Sequence, residues 1–288
     1  MTVTGHRQRA TTRTALRSSR LSSLLGLTGV VIVGALVSAA VLAPWLAPYD
    51  PTERVARPFL SPSWDHLLGT NDIGQDLLSE MIFGARVSLT VGIVAAAVAL
   101  LIGTAVGVVA GYYPRRLGSV MMRGVDMILV LPFLPLLIVL AAYLGRSLLN
   151  TILVIGVLIW AEPARVIRSQ VLSLRSREHV LAARSMGAPD RWTILRHIVP
   201  RTALLATGSF VRAVSNAILL EAALSFLGLG DPIQKSWGST LFWAQERLAF
   251  LTPAWKWWVL PPGLLIMMAS LGFALVAFSL EERIDPRL

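Results

Sequence analysis

Cysteine is absent from all 288 residues, so neither disulfides nor thiolate metal sites are available. Lysine is almost as scarce, with only Lys235 and Lys256, and the positive charge rests on arginine. There is no Gly-x-x-x-x-Gly-Lys-Ser/Thr phosphate loop; Lys235-Ser236 is preceded by Gln234, so the chain has no such route to ATP hydrolysis. His-Glu-x-x-His is missing, and His6, His66, His179 and His197 do not cluster in sequence. Nor is there a Gly-x-Ser-x-Gly elbow, which leaves a membrane enzyme without a nucleophile–base pair. Charge of either sign is sparse at 15%, against about 25% in soluble domains. With 55% hydrophobic residues and a mean hydropathy of +0.67, that scarcity indicates a polytopic membrane protein. A net charge of +10 would suggest nucleic acid in a soluble chain, but here the arginines gather between apolar runs. That is a topology signal, and no nucleic-acid partner is expected.

What the chain does contain is a series of apolar runs of bilayer length, about 20 residues each. Leu24–Leu46 is the first; it exceeds a signal h-region and ends in Pro44-Trp45-Leu46-Ala47-Pro48, so it reads as a retained anchor. Further runs follow at 87–110, 120–144, 150–167, 202–224 and 258–280. The expected fold is therefore an all-α membrane protein with about six transmembrane helices. Residues 1–23, with Arg7, Arg9, Arg13, Arg17 and Arg20, read as a disordered basic tail beside anionic membrane lipid. Eighteen basic residues fall in the segments assigned inside and seven in those assigned outside. This places both termini in the cytoplasm, residues 47–85 and 226–257 outside, and the long loop 168–201 and the tail 281–288 inside. The five spans of 86–280 form the core behind the anchor.

Several residues within or beside the spans stand out. Gly103 and Gly107 permit close helix approach. Arg123 and Asp126 sit three apart on one helix face, as do Glu162 and Arg165. Pro132 and Pro135 break or kink the third span. Arg212 and Glu221 lie at membrane depth, where an ionisable group needs a partner or water. About 13 Å apart along a helix, they serve different partners. Arg123, Asp126, Pro132, Arg212 and Glu221 are accordingly candidates for a translocation path. The acidic residues Asp65, Asp72, Asp76 and Glu80 lack the alternating ligand positions of a calcium loop, and a capped interfacial helix explains them better. Trp237, Trp243, Trp255, Trp257 and Trp258 read as interface anchors, or as a surface for a substrate-delivering protein.

The most informative stretch is EHVLAARSMGAPDRWTILRHIVPR, from Glu178 to Arg201. Val180, Ala183 and Met186 share one face of a first short helix, and Trp192, Leu195, Ile198 and Val199 one face of a second. Gly187 suits a helix C-cap, and Pro189 or Asp190 the next start. A plain connecting loop has no need of two amphipathic turns.

The run Ala182-Ala183-Arg184-x-x-Gly187, followed by His197-Ile198-Val199-Pro200, resembles the cytoplasmic "EAA" loop of ABC-importer permeases, in its dipeptide/oligopeptide/nickel branch. Leu181 stands in the motif's Glu slot, and His197 and Val199 in its Ile and Leu slots. Two further stretches carry the likeness. Leu68 to Leu89 resembles LGTDxxGRDxxSRxxxGxRxSL, with Asn71 and Gln75 replacing Asp and Arg, and EAALSFLGLGDPIQKSWG from Glu221 resembles the branch's outer segment. The resemblance implies the type I ABC-importer permease architecture and a transport subunit with no catalysis of its own. Its implied partners are a homologous second permease, two ATPase subunits that bind ATP and Mg, and an extracytoplasmic solute-binding protein. This chain itself would bind neither cofactor nor metal. The implied contact with the ATPases runs through Leu181, Ala182, Ala183, Arg184, Gly187, Ala188, Trp192, His197 and Pro200. Peptides are the expected cargo, with nickel chelates, glutathione-like compounds and oligosaccharides as alternatives. A stand-alone secondary transporter would need an internal repeat and coupling carboxylates, and only Glu221 supports it.

Overall fold

The computed structural model describes residues 4–284. The first three residues of the basic tail and the last four of the C-terminal tail lie outside them. Helix α1 (Thr4–Val41) runs through the segment expected to be disordered and into the first span. It is followed by α2 (Ala43–Leu46), α3 (Leu77–Tyr112), α4 (Arg116–Val130), α5 (Phe133–Leu144), α6 (Leu148–Ile159), α7 (Ala161–Arg175), α8 (Glu178–Ser185), α9 (Asp190–Thr193), α10 (Val199–Phe226), α11 (Trp237–Glu246), α12 (Trp255–Trp258) and α13 (Leu260–Ile284). No strand forms among the described residues.

Four stretches are long and apolar enough to cross a membrane: Ser23–Val41, Leu77–Tyr112, Ala206–Phe226 and Trp255–Glu282. Two bent pairs, α4 with α5 at 88° and α6 with α7 at 42°, bring the number to as many as six when each pair is counted as one span. The first bend is the break expected at Pro132: Leu131 is forced extended by the proline after it, and Pro132 starts α5 from outside. Pro135 falls in the first turn of α5, where its missing N–H disturbs nothing. The second bend departs from the unbroken span read over 150–167. Pro163, in the first turn of α7, separates it from α6 at Trp160.

Helix α3 is the hub, packing on α1, α6, α7 and α10, while α13 closes on α1 and α10. Asp76 caps its start by accepting from the Ser79 amide at 2.8 Å. Its 36 residues extend for about 54 Å, well beyond an apolar layer of about 30 Å. Helix α3 therefore reaches beyond such a layer, with its two end residues, Leu77 and Tyr112, still buried by the chain. Gly103 and Gly107 do bring a helix close, and that helix is α7 of the same chain: a Cβ on Gly107 would lie 2.7 Å from the Ala164 carbonyl oxygen. Helix α13 carries Glu281 and Glu282, which the sequence assigned to the tail.

Two tryptophans read as interface anchors turn out to be core. Trp237 and Trp258 are buried, and the Trp237 Nε1 donates to the Met81 carbonyl at 3.0 Å, so α11 is stapled to α3. Trp243 and Trp255 remain exposed.

Candidate functional site

The 178–200 segment forms a compact knuckle at the end of the bundle where α3 terminates and α10 begins. Helix α8 stops in a Schellman motif: the Gly187 amide donates to the Arg184 carbonyl and the Ala188 amide to the Ala183 carbonyl. Gly187 adopts φ of 84°, a left-handed conformation that glycine enters freely. Pro189, extended, then delivers the chain to α9. The second short helix is not separate, as its pattern implied. It continues through a π turn, Ile194–Ile198, into α10. The wide turn precedes Pro200, whose ring has no N–H and crowds the carbonyl four residues back.

The apolar residues of the knuckle divide between two directions. Val180, Ala183 and Ile198 are buried, and Val180 and Ile198 pack with Val108, Tyr112, Ile167 and Val171. Leu181, Met186, Trp192 and Leu195 face outward, with Met186 82% and Trp192 47% exposed. Met186 therefore does not share the inward face of Val180 and Ala183. Ala182, Arg184, Gly187 and Pro200 are exposed beside the outward set, and Ala188 is half-buried. Trp192 meets the His197 ring edge-on at 4.9 Å. Asp190 accepts a hydrogen bond on each carboxylate oxygen, from Tyr112 Oη at 2.7 Å and Tyr113 Oη at 3.0 Å. These two phenols, Tyr112 first, with Arg184 and Arg175 nearby, hold its carboxyl below the usual carboxylate range. The Arg201 guanidinium donates to His179 Nε2 at 2.7 Å. Partial burial, then the charges of Arg201 and His197, lower the His179 pKa and favour the neutral ring.

Beside the knuckle an open groove of about 1160 Å³ runs along the bundle between α4–α5, α6–α7 and α10. Arg212 lines it and is paired with Glu281 of α13, so the cation at membrane depth has its partner. Glu162, Arg177 and Asn216 line it as well. Pro132 sits between two lining residues, Leu131 and Phe133. The other path candidates lie elsewhere. Asp126 is paired with Arg165 of α7 at 2.6 Å, across helices, instead of with Arg123 on its own helix; Arg165 is thereby taken from Glu162.

Glu221 is buried at the opposite end of the bundle, accepting from Ser88 Oγ at 3.0 Å and Ser225 Oγ at 2.7 Å. As their spacing required, Arg212 and Glu221 have separate partners. Close to Glu221, Glu80 accepts from Lys235 Nζ at 2.9 Å and Asn71 Nδ2 at 2.7 Å, and Lys235 also donates to Gln75 Oε1 at 2.8 Å. The acidic series of 65–80 is thus distributed over a helix cap (Asp76, also 3.0 Å from His66 Nδ1), a salt bridge to Arg247 (Asp72) and this buried pair (Glu80). It does not converge on one ion.

Comparison with known proteins accounts for this arrangement. Residues 103–288, which include the knuckle and the groove-lining helices, match the model for the binding-protein-dependent transport system inner membrane component. The chain belongs to that family of ABC-importer permeases. Residues 22–65 match the N-terminal transmembrane domain of oligopeptide transport permease C. A di/tripeptide transport system permease protein of Pseudomonas aeruginosa is 36% identical, covering 91% of this chain and 88% of its own. A putative peptide transport system permease protein of Brucella suis is 39% identical, over 90% and 87%. The oligopeptide transport system permease protein of Bacillus subtilis is 34% identical, over 93% and 87%. The permease is accordingly a multi-pass protein of the inner membrane.

Sequence reading missed the Asp190–tyrosine contact and the Glu80–Lys235 pair. The first joins residues 77 and 78 positions apart and the second residues 155 apart, separations at which no helical period operates. One signal was present: Asn71 and Gln75 replace a usual Asp and Arg, and the lone lysine of the second motif supplies the charge that Gln75 lacks.

Proposed function

We infer that this permease carries di- or oligopeptides inward in an ATP-driven importer, and that the 178–200 knuckle is where the ATPase subunits push. The cargo reading rests on the peptide-permease relatives. The coupling reading rests on one observation: a knuckle seated on the bundle by Val180, Ala183 and Ile198 presents Leu181, Met186, Trp192 and Leu195 to the outside. An exposed aromatic at the centre of such a patch is what a partner groove selects. The knuckle end is then cytoplasmic, in agreement with the arginine count, and both termini share that side. ATP and Mg act on the ATPase subunits, a homologous permease closes the groove that Arg212 lines, and a solute-binding protein delivers cargo at the opposite end.

Transport follows as alternating access. The ATPase dimer contacts the knuckle differently when closed and when open, and only that difference in binding free energy shifts the permease between its states. Replacing Gly187 by proline tests the coupling role. Proline holds φ near about −65°, which is incompatible with the left-handed cap, so α8 and α9 lose their relative angle. Gly187→Pro is expected to abolish peptide uptake while membrane insertion stays intact; normal uptake refutes the coupling role. Uptake that survives ATP depletion under a clamped ion gradient would refute the importer reading itself.

A further inference from the structure

We propose that Asp190 is a positioning residue that, gripped by the phenols of Tyr112 and Tyr113, transmits displacement of the knuckle to α3. The inference rests on the coupling role argued above and adds the route by which the push enters the bundle. The two phenols occupy both carboxylate oxygens, at 2.7 and 3.0 Å. The rings stand edge to face with centroids 5.0 Å apart, so each phenol packs against the other. The Arg184 and Arg175 guanidinium carbons lie 5.6 and 6.0 Å from the centre of the buried Tyr112 ring. Cationic groups so placed favour the ionised carboxylate, and hydrogen bonds to an ionised acceptor are the strong ones.

The location matters as much as the strength. Tyr112 is the last residue of α3, the helix that packs on α1, α6, α7 and α10. Asp190 is the first residue of α9, two positions from the outward-facing Trp192. The buried contacts of Val180 and Ile198 are apolar and undirected, so they tolerate sliding. The carboxylate clamp has fixed directions and joins a point beside the outward patch to the end of the hub. A push on Trp192 is therefore delivered to the end of α3.

The test uses the assembled importer with its ATPases, second permease and solute-binding protein. Because the chain has no cysteine, Met186→Cys provides a single thiol on the exposed patch for cross-linking to the ATPase. In that background, Tyr113→Phe, the double variant Tyr112→Phe/Tyr113→Phe, and Asp190→Ala are compared by the stimulation of ATP hydrolysis that the binding protein produces. Cross-link yield is expected to stay constant. Stimulation is expected to fall about tenfold in Asp190→Ala, the change produced by losing a charge-assisted hydrogen bond. The double tyrosine variant should fall as far, and combining all three should add nothing, because one interaction is broken only once. Unchanged stimulation, or additive losses, overturns the clamp while leaving the coupling role standing. A loss of cross-link in Asp190→Ala overturns it too, by making the residue part of the docking surface. If Asp190→Ala does not assemble, Tyr113→Phe, which removes one half-exposed hydroxyl, decides by whether stimulation falls. Failure of Met186→Cys to cross-link at all removes the coupling role, and the clamp with it.

Discussion

The two ends of this bundle differ in where their charged groups are held. At the end bearing 66–88 and 221–258, the buried carboxylates are satisfied from within the chain, Glu80 by Lys235 and Asn71 and Glu221 by Ser88 and Ser225, and the Trp237 indole meets the Met81 carbonyl, while the Trp257 and Trp258 indoles have no partner. At the knuckle end the directed contacts lie nearer the surface; large apolar side chains face outward at both ends, Met186 and Trp192 here and Ile233 and Leu251 there. Carboxylates met from within the chain hold one end in shape. On the coupling role proposed above, Leu181, Met186, Trp192 and Leu195 at the other end are covered by a partner. The same helices, α3 and α10, connect the two, so a stiff end and a receptive end share one frame.

The strongest way to break this contrast is to attack the stiff end. Lys235→Met removes the ammonium and leaves the Glu80 carboxylate, 2% exposed, without its counter-charge. Breaking a buried pair from one side costs about 3–5 kcal/mol. Folded yield and thermal stability in detergent should both collapse, and adding Glu80→Leu should recover most of the loss by removing the stranded charge. Equal stability of Lys235→Met and the parent chain would show that the buried pair does not hold this end together.

A smaller effect on stability, and a larger one on partners, is expected at the knuckle. Trp192→Ala changes a half-exposed side chain and should move stability by no more than about 0.5 kcal/mol. If Trp192 is the aromatic anchor, the same change should weaken ATPase binding by about 2 kcal/mol or more, read by co-purification. The contrast predicts loss of fold without change of surface at one end, and loss of partner without loss of fold at the other.

How much of this was legible in the sequence divides along the same line. Local chemistry was readable: the break at Pro132, the cap at Gly187, the close approach permitted by Gly103 and Gly107, and the separate fates of Arg212 and Glu221 all depend on a residue and its near neighbours. Periodicity gave neither the faces of the knuckle, where Met186 parts from Val180 and Ala183 and Ile198 from Trp192 and Leu195, nor which helix each face meets. Asp126 could equally serve Arg123 or a residue on another helix, and only the packing of α4 on α7 selects Arg165. Trp237 carried the composition of an interface anchor, and its burial follows from α11 folding back onto α3. The bend at Trp160 was not read because Glu162 and Arg165, on either side of Pro163, were taken as a pair at the inner end of one continuous span.

The smallest expected effect concerns acidity, and it sharpens the comparison because it should be absent. The phenol of Tyr112, then that of Tyr113, lowers the Asp190 pKa. A carboxylate so depressed contributes its stabilisation above the unfolded value of about 3.9, and loses it only as pH falls through the lower folded value. His179 has its pKa lowered by partial burial and by Arg201, which favours the neutral ring. Asp190 therefore keeps its charge when the pH falls from about 7.5 to about 6.5. Binding-protein-stimulated ATP hydrolysis per assembled complex should be flat across that interval, after correction for the ATPase subunits measured alone. A fall by half or more would mean that a group other than Asp190 carries the signal, and the clamp would no longer distinguish the knuckle end from its rigid counterpart.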